Sequence, residues 1–141
     1  MSPAQLILMP VFVHVLLVFF LGIRTALERG AAVRNREVSI KEIALDTRSW
    51  PEHVRKFSNN FDNQFQVPMM WYALVALLLA TNLAGTLQII LSWCFVATRL
   101  AHTYVHTGRN DVRLRLVAFL LGVTIIFFMW LWFALRLYGL G

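Results

Sequence analysis

The sequence predicts an all-α integral membrane protein, a four-helix bundle built as one domain over residues 1–141. Three observations lead there. The chain is 59% hydrophobic and only 14% charged, where a soluble domain is about half apolar and a quarter charged. Its apolar residues gather in four runs of 18 to 20 residues. Twelve of its thirteen Lys and Arg fall where four crossings put them on a single side. In a soluble protein a net charge of +6 suggests nucleic acid. Here the charge reads as topology, and no nucleic-acid partner is expected.

The first run, Leu6–Ile23, holds no acid and no base other than His14. About 20 residues rising about 1.5 Å each cross a hydrocarbon core of about 30 Å. The run has no period of two, so it predicts a helix rather than a barrel strand. Its first base, Arg24, follows the apolar stretch, and no small-residue cleavage site comes after it. A retained helix is therefore expected rather than a signal peptide.

The link over residues 24–56 carries eight bases. Within it, Val38–Leu45 has the pattern of a short amphipathic surface helix, and Trp50-Pro51 marks a break. The second run, Val67–Ala84, is uncharged. Pro68 lacks a backbone donor and crowds the carbonyl of Gln64, which predicts a kink. A tight turn with Asn82 and Gly85 leads to the third run, Leu87–His106, which is polar only toward its end. Residues 107–115 bring Arg109, Arg113 and Arg115. The fourth run, Leu116–Leu135, has no charge. The positive-inside bias then places both basic loops in the cytoplasm and both termini on the opposite face. Gly22 and Gly122 mark places where helices can approach closely. Cys94, the one cysteine, lies in an apolar run and excludes an internal disulfide.

Polar side chains at the ends of membrane helices are costly and need partners. Arg55, Asn59, Asn63 and Gln66 follow spacings of 4, 4 and 3, which place them on one helical stripe. Arg99, His102 and His106 follow spacings of 3 and 4 and form a second stripe. His102 and His106 have metal-ligand spacing, but no third ligand stands beside them and no metal is expected. Arg113 and Arg115 lie about 200° apart on a helix, so one faces inward and the other outward. His14 reads as a hydrogen-bonded helix contact. The three polar groups converge at the cytoplasmic end. Guanidinium groups there favour a carboxylate ligand, and Asn, Gln and His hydrogen-bond an amide backbone. A basic, partly dehydrated pocket also favours a bound thiol as thiolate. Those are the requirements for binding a small acidic thiol peptide such as glutathione.

Two motifs then resemble a known family, the membrane-associated proteins in eicosanoid and glutathione metabolism (MAPEG). Asn63-Gln64-Phe65-Gln66-Val67-Pro68 is similar to the family's Asn-x-x-Glu followed shortly by proline. Arg99-Leu100-Ala101-His102-Thr103-Tyr104-Val105-His106, with Arg115 nine residues on, resembles the pattern of the prostaglandin E synthase branch. The resemblance covers residues 5–140 and is nearest to bacterial members. It implies a homotrimer in the bacterial inner membrane, with glutathione as co-substrate at a cytoplasmic-side subunit interface. Asn59, Asn63, Gln66, Arg99, His102 and His106 become peptide contacts, and Arg55 a carboxylate partner. Arg115, or failing it Arg113, becomes the thiolate-stabilising arginine. Arg24 and Arg29 become first-loop contacts. Two positions depart from the pattern: Gln66 stands where the family has Glu, and His106 where it has a second tyrosine. The implied activity is transferase- or peroxidase-like, on a lipophilic electrophile arriving among membrane lipids. The alternative is a non-enzymatic membrane protein of the same fold that binds anionic lipid or a protein partner.

Overall fold

The structure is a computed structural model that describes residues 1–44 and 46–139. Helix α1 runs from Pro3 to Arg34. Ser2 and Gln5 form a capping box at its start, and Pro3 sits in the first turn, where its missing N–H leaves no bond unmade. The helix runs eleven residues past the end of the predicted span. Ala26, Leu27, Ala31 and Ala32 are strong helix formers, and Arg24 pairs with Glu28 one turn on at 2.6 Å. Thr25 and Ala32 are buried there. The predicted polar link is thus helical at both ends.

Between α1 and the next long helix lie α2, Ile40–Ile43, and a 3₁₀ turn, Thr47–Ser49. Helix α2 begins with a Ser39–Glu42 capping box and buries nothing. It is shorter than the predicted Val38–Leu45 helix, and Leu45 lies outside the described residues.

Helix α3 spans Glu52–Asn63 and starts directly after Pro51. Helix α4 spans Val67–Ala80. The kink expected at Pro68 is a full break. The chain leaves helical geometry over Gln64–Gln66 and restarts with Pro68 in the first turn of α4. Proline belongs in that turn because the first helical amides have no partner to lose. Helix α4 also stops four residues short of the predicted span, before Asn82 takes up a left-handed conformation with φ 55°. Helix α5 covers Thr86–Thr107. Helix α6 covers Val112–Leu137 and starts earlier than its apolar run because Asp111 caps it. The Asp111 carboxylate accepts from the amides of Arg113 and Leu114 at 2.8 and 3.1 Å.

Helix α5 lies along α6, and α1 packs against α3 and α5. Ile7, Trp71, Leu74, Phe95, Ile126 and Met129 meet in the core. No strand occurs among the described residues. The burial pattern is inverted relative to a water-soluble protein. Gln88, Ser92, Arg99, His102 and His106 of α5 are all buried, while Phe12, Leu16 and Phe19 of α1 are each more than 60% exposed. Helices α1 and α6 are each long and apolar enough to cross a membrane.

Both glycines singled out above sit at close approaches. A Cβ on Gly22 meets Phe61 Cε2 at 3.2 Å. A Cβ on Gly122 meets Arg99 Nη2 at 2.5 Å.

The break between α3 and α4 is held by a buried polar chain. His14 Nε2 donates to Gln64 Oε1 at 3.2 Å, and Nδ1 is bonded to the Tyr72 hydroxyl at 2.6 Å. Gln64 Nε2 donates to the Asn60 carbonyl and side-chain oxygens, each at 3.1 Å. Thr103 Oγ1 reaches Asn60 Oδ1 at 3.4 Å. Because Gln64 uses its amide nitrogen on Asn60, its oxygen faces His14. That fixes the tautomer: Nε2 carries the proton and Nδ1 accepts from Tyr72.

Candidate functional site

The site lies where α3, the end of α5 and the start of α6 meet. Helix α3 ends at Asn63, so Arg55, Asn59 and Asn63 remain on one face at four-residue spacing. Helix α5 is unbroken, so Arg99, His102 and His106 share its inner face and are all buried. The turn from α5 to α6 is tight because Asn110 adopts φ 55°, a conformation Asn tolerates better than most residues. The turn aims the Asn110 side chain inward, where Arg115 Nη1 donates to Asn110 Oδ1 at 2.7 Å.

Two cavities result, and Arg115 lines both. The inner one, about 210 Å³, is bounded by Asn63, His102, Leu116 and Phe119. The outer one, about 240 Å³, is bounded by Glu52, Arg55, Lys56, Asn59 and His106. Arg115 Nε, His102 Nδ1 and His106 Nδ1 are buried with no hydrogen-bond partner among the described residues. Such atoms are costly unless a ligand or water satisfies them. The two imidazoles stand edge to face with centroids 5.5 Å apart.

Arg99 is fully buried one turn deeper than His102. Nη2 donates to the Ala118 carbonyl at 3.2 Å, and the guanidinium lies 5.4 Å from the Phe95 ring centroid and 5.8 Å from that of Phe119. It sits behind Phe119 and lines neither cavity. No carboxylate pairs with it among the described residues.

The structure brings together Arg55, Asn59, Asn63, His102, His106 and Arg115. It does not bring in Gln66 or Arg113, and Arg99 stays behind Phe119. Gln66 falls on the break, exposed and beyond the end of α3, so the four-residue stripe stops at Asn63. Arg113 is exposed on the outer face of α6, as its angular separation from Arg115 requires. Arg24 and Arg29 sit on α1, beside Phe57 and Trp50 of the following segment, away from both cavities.

Sequence reasoning missed Glu52 and Lys56. A signal for Glu52 existed: it precedes Arg55 by three residues and extends the Arg55–Asn59 stripe by one turn.

A third cavity, about 220 Å³ and apolar, lies between α4 and α6. Its α6 wall of Val123, Phe127 and Trp130 continues the stripe begun by Arg115, Leu116 and Phe119. Trp130 Nε1 is buried there without a partner among the described residues.

Against known proteins, the MAPEG family model matches residues 7–135. The chain belongs to the MAPEG family. No curated protein and no solved structure matched. The family assignment and the two long apolar helices make this MAPEG chain a membrane protein with a glutathione- or eicosanoid-related role. MAPEG proteins generally use glutathione and are typically trimers with lipophilic substrates. Both cavities around Arg115 are polar and basic. Guanidinium and ammonium groups line the outer one, an unpaired imidazole nitrogen flanks each, and Asn59 and Asn63 present side-chain amides.

Proposed function

We propose that this MAPEG protein is a four-span membrane enzyme that binds glutathione and activates its thiol toward a lipophilic electrophile. The spans are α1, α3 with α4, α5 and α6. The basic loops face the cytoplasm, both termini face the opposite side, and three copies assemble. Within the family we place it with the bacterial members and the prostaglandin E synthase branch, on the motifs at Asn63–Pro68 and Arg99–His106. The observation that carries the reading is the position of Arg115, shared by two adjoining polar cavities with a buried, unpartnered Nε.

Each residue has a task in this reading. Arg115 stabilises the sulfur as thiolate by charge and by hydrogen bonding from a partly dehydrated guanidinium. Arg55 takes a carboxylate. Asn59 and Asn63 bond the peptide amides. His102 and His106 use their free nitrogens on the ligand backbone. Both cavities open at the molecular surface, and a neighbouring copy closes them. The lipophilic partner reaches the sulfur along the α6 stripe from Trp130 toward Phe119. No protein nucleophile is needed, in keeping with Cys94 lying on an exposed surface among apolar neighbours.

The test is ultraviolet thiolate absorbance when glutathione is added to purified protein in detergent. Wild type should show the band and Arg115→Ala should lose it. No band in wild type, or an equal band in the variant, refutes the reading. The rival is a non-enzymatic protein that holds anionic lipid in the same cavities. It is favoured by Gln66, an amide that stands outside the site where the family has a carboxylate. Retained anionic phospholipid in native mass spectrometry, with no glutathione adduct at millimolar ligand, would select it.

A further inference from the structure

We infer that Glu52 reads the ammonium group of the bound peptide and so sets selectivity for it. The inference rests on the glutathione reading above. Of the seven acidic residues in the chain, Glu52 is the one that lines either polar cavity. The outer cavity presents three cations, Arg55, Lys56 and Arg115, and this single carboxylate. Glutathione in its thiolate form carries the mirror image: two carboxylates, one sulfur anion and one ammonium. A cavity with three cations repels an ammonium unless a carboxylate receives it.

The geometry permits that role. Glu52, Arg55 and Asn59 follow spacings of 3 and 4 along α3, so the carboxylate stands one turn from the guanidinium. Its present partner is Lys56 Nζ at 3.2 Å, one turn on. The Glu52 side chain is 73% exposed in that pair, and such exposed pairs hold their partners weakly. The carboxylate can therefore turn to a ligand ammonium and release Lys56 to a ligand carboxylate. Every charge at the outer cavity is then matched.

The experiment compares two ligands on the full-length protein in detergent. One is glutathione. The other is its analogue with a glutaryl group in place of γ-glutamyl, which lacks only the ammonium. Affinity is read by calorimetric titration and by thiolate absorbance. Wild type should prefer glutathione by about three- to tenfold, the range of one charge-assisted contact at a partly exposed site. Glu52→Gln should abolish the preference by weakening glutathione relative to the analogue, whose own affinity should rise as Lys56 is freed. Glu52→Lys should invert the preference, and Glu52→Asp should restore part of it. A preference that survives in Glu52→Gln and Glu52→Lys, or an equal loss for both ligands, overturns the assignment and leaves the glutathione reading standing. If wild type binds neither ligand, the glutathione reading falls and the role of Glu52 falls with it.

Discussion

Gly122 gives the sharpest test of how α5 and α6 meet. A methyl group added there lands 2.5 Å from Arg99 Nη2, 3.2 Å from Arg99 Cζ and 3.0 Å from Thr98 Oγ1. The guanidinium is the far end of a flexible chain, but its neighbours hold it in place. It is fully buried, flanked by Phe95 and Phe119, and tied to the Ala118 carbonyl. Gly122→Ala must therefore move Arg99 and break that bond. Losing a hydrogen bond to a charged group costs about 1.5–3 kcal/mol. Replacing helical glycine by alanine returns about 1 kcal/mol. The expected net loss is about 0.5–2 kcal/mol, read as a lower thermal midpoint of the purified protein in detergent. The decisive comparison is a double-mutant cycle with Arg99→Met. Without the guanidinium, Gly122→Ala should be close to neutral, limited by the remaining Thr98 contact. A coupling of about 1 kcal/mol or more is expected for residues in direct contact. An equal penalty in both backgrounds would refute the claim that Gly122 exists to seat Arg99.

Two further outcomes follow from the same packing. His14→Phe leaves the buried Gln64 Oε1 and the half-buried Tyr72 hydroxyl without the bonds they make now, so it should cost about 1–3 kcal/mol for the buried amide oxygen and a smaller amount for the hydroxyl, which water can reach. Tyr72→Phe breaks one of those bonds and should cost less; the reverse order of thermal midpoints would exclude the buried chain as drawn. Arg113→Ala should leave the glutathione thiolate band unchanged, whereas Arg115→Lys should weaken it about tenfold, because an ammonium cannot reproduce a guanidinium's paired donors. A loss in Arg113→Ala equal to that in Arg115→Ala would move the thiolate role off Arg115.

The parts of the site that could be read in the sequence are those carried by unbroken helices. Arg99, His102 and His106 share a face because spacings of 3 and 4 keep their meaning through a continuous α5. The same rule separates Arg113 from Arg115. Which of the two turns inward depends on where α6 begins, and the Asp111 cap decides that. The stripe from Arg55 to Gln66 was only partly legible for the opposite reason. Periodicity assigned four residues to one face, yet the helix that would carry the fourth ends at Asn63.

Pro68 announces a disturbance within the preceding turn. It does not say whether the helix bends or stops, because that depends on what satisfies the freed backbone and side-chain groups. Here the satisfaction comes from far away in sequence. His14 lies fifty residues before Gln64, and Thr103 lies forty-three after Asn60. Neither residue announces this in its own run: a lone histidine among apolar residues, or a threonine in a helix, carries no period. In lipid a polar side chain must find a protein partner, and the partner is set by which helices touch. The break can therefore persist only in a fold where α1 and α5 both reach it. The polar face of α3 stays aligned with α5 because Asn60, on the same helix as Asn59 and Asn63, is bonded to Thr103 beside His102. On this view the buried chain from His14 to Thr103 and the two cavities around Arg115 are one arrangement: the first holds α3 at the height where the second can form.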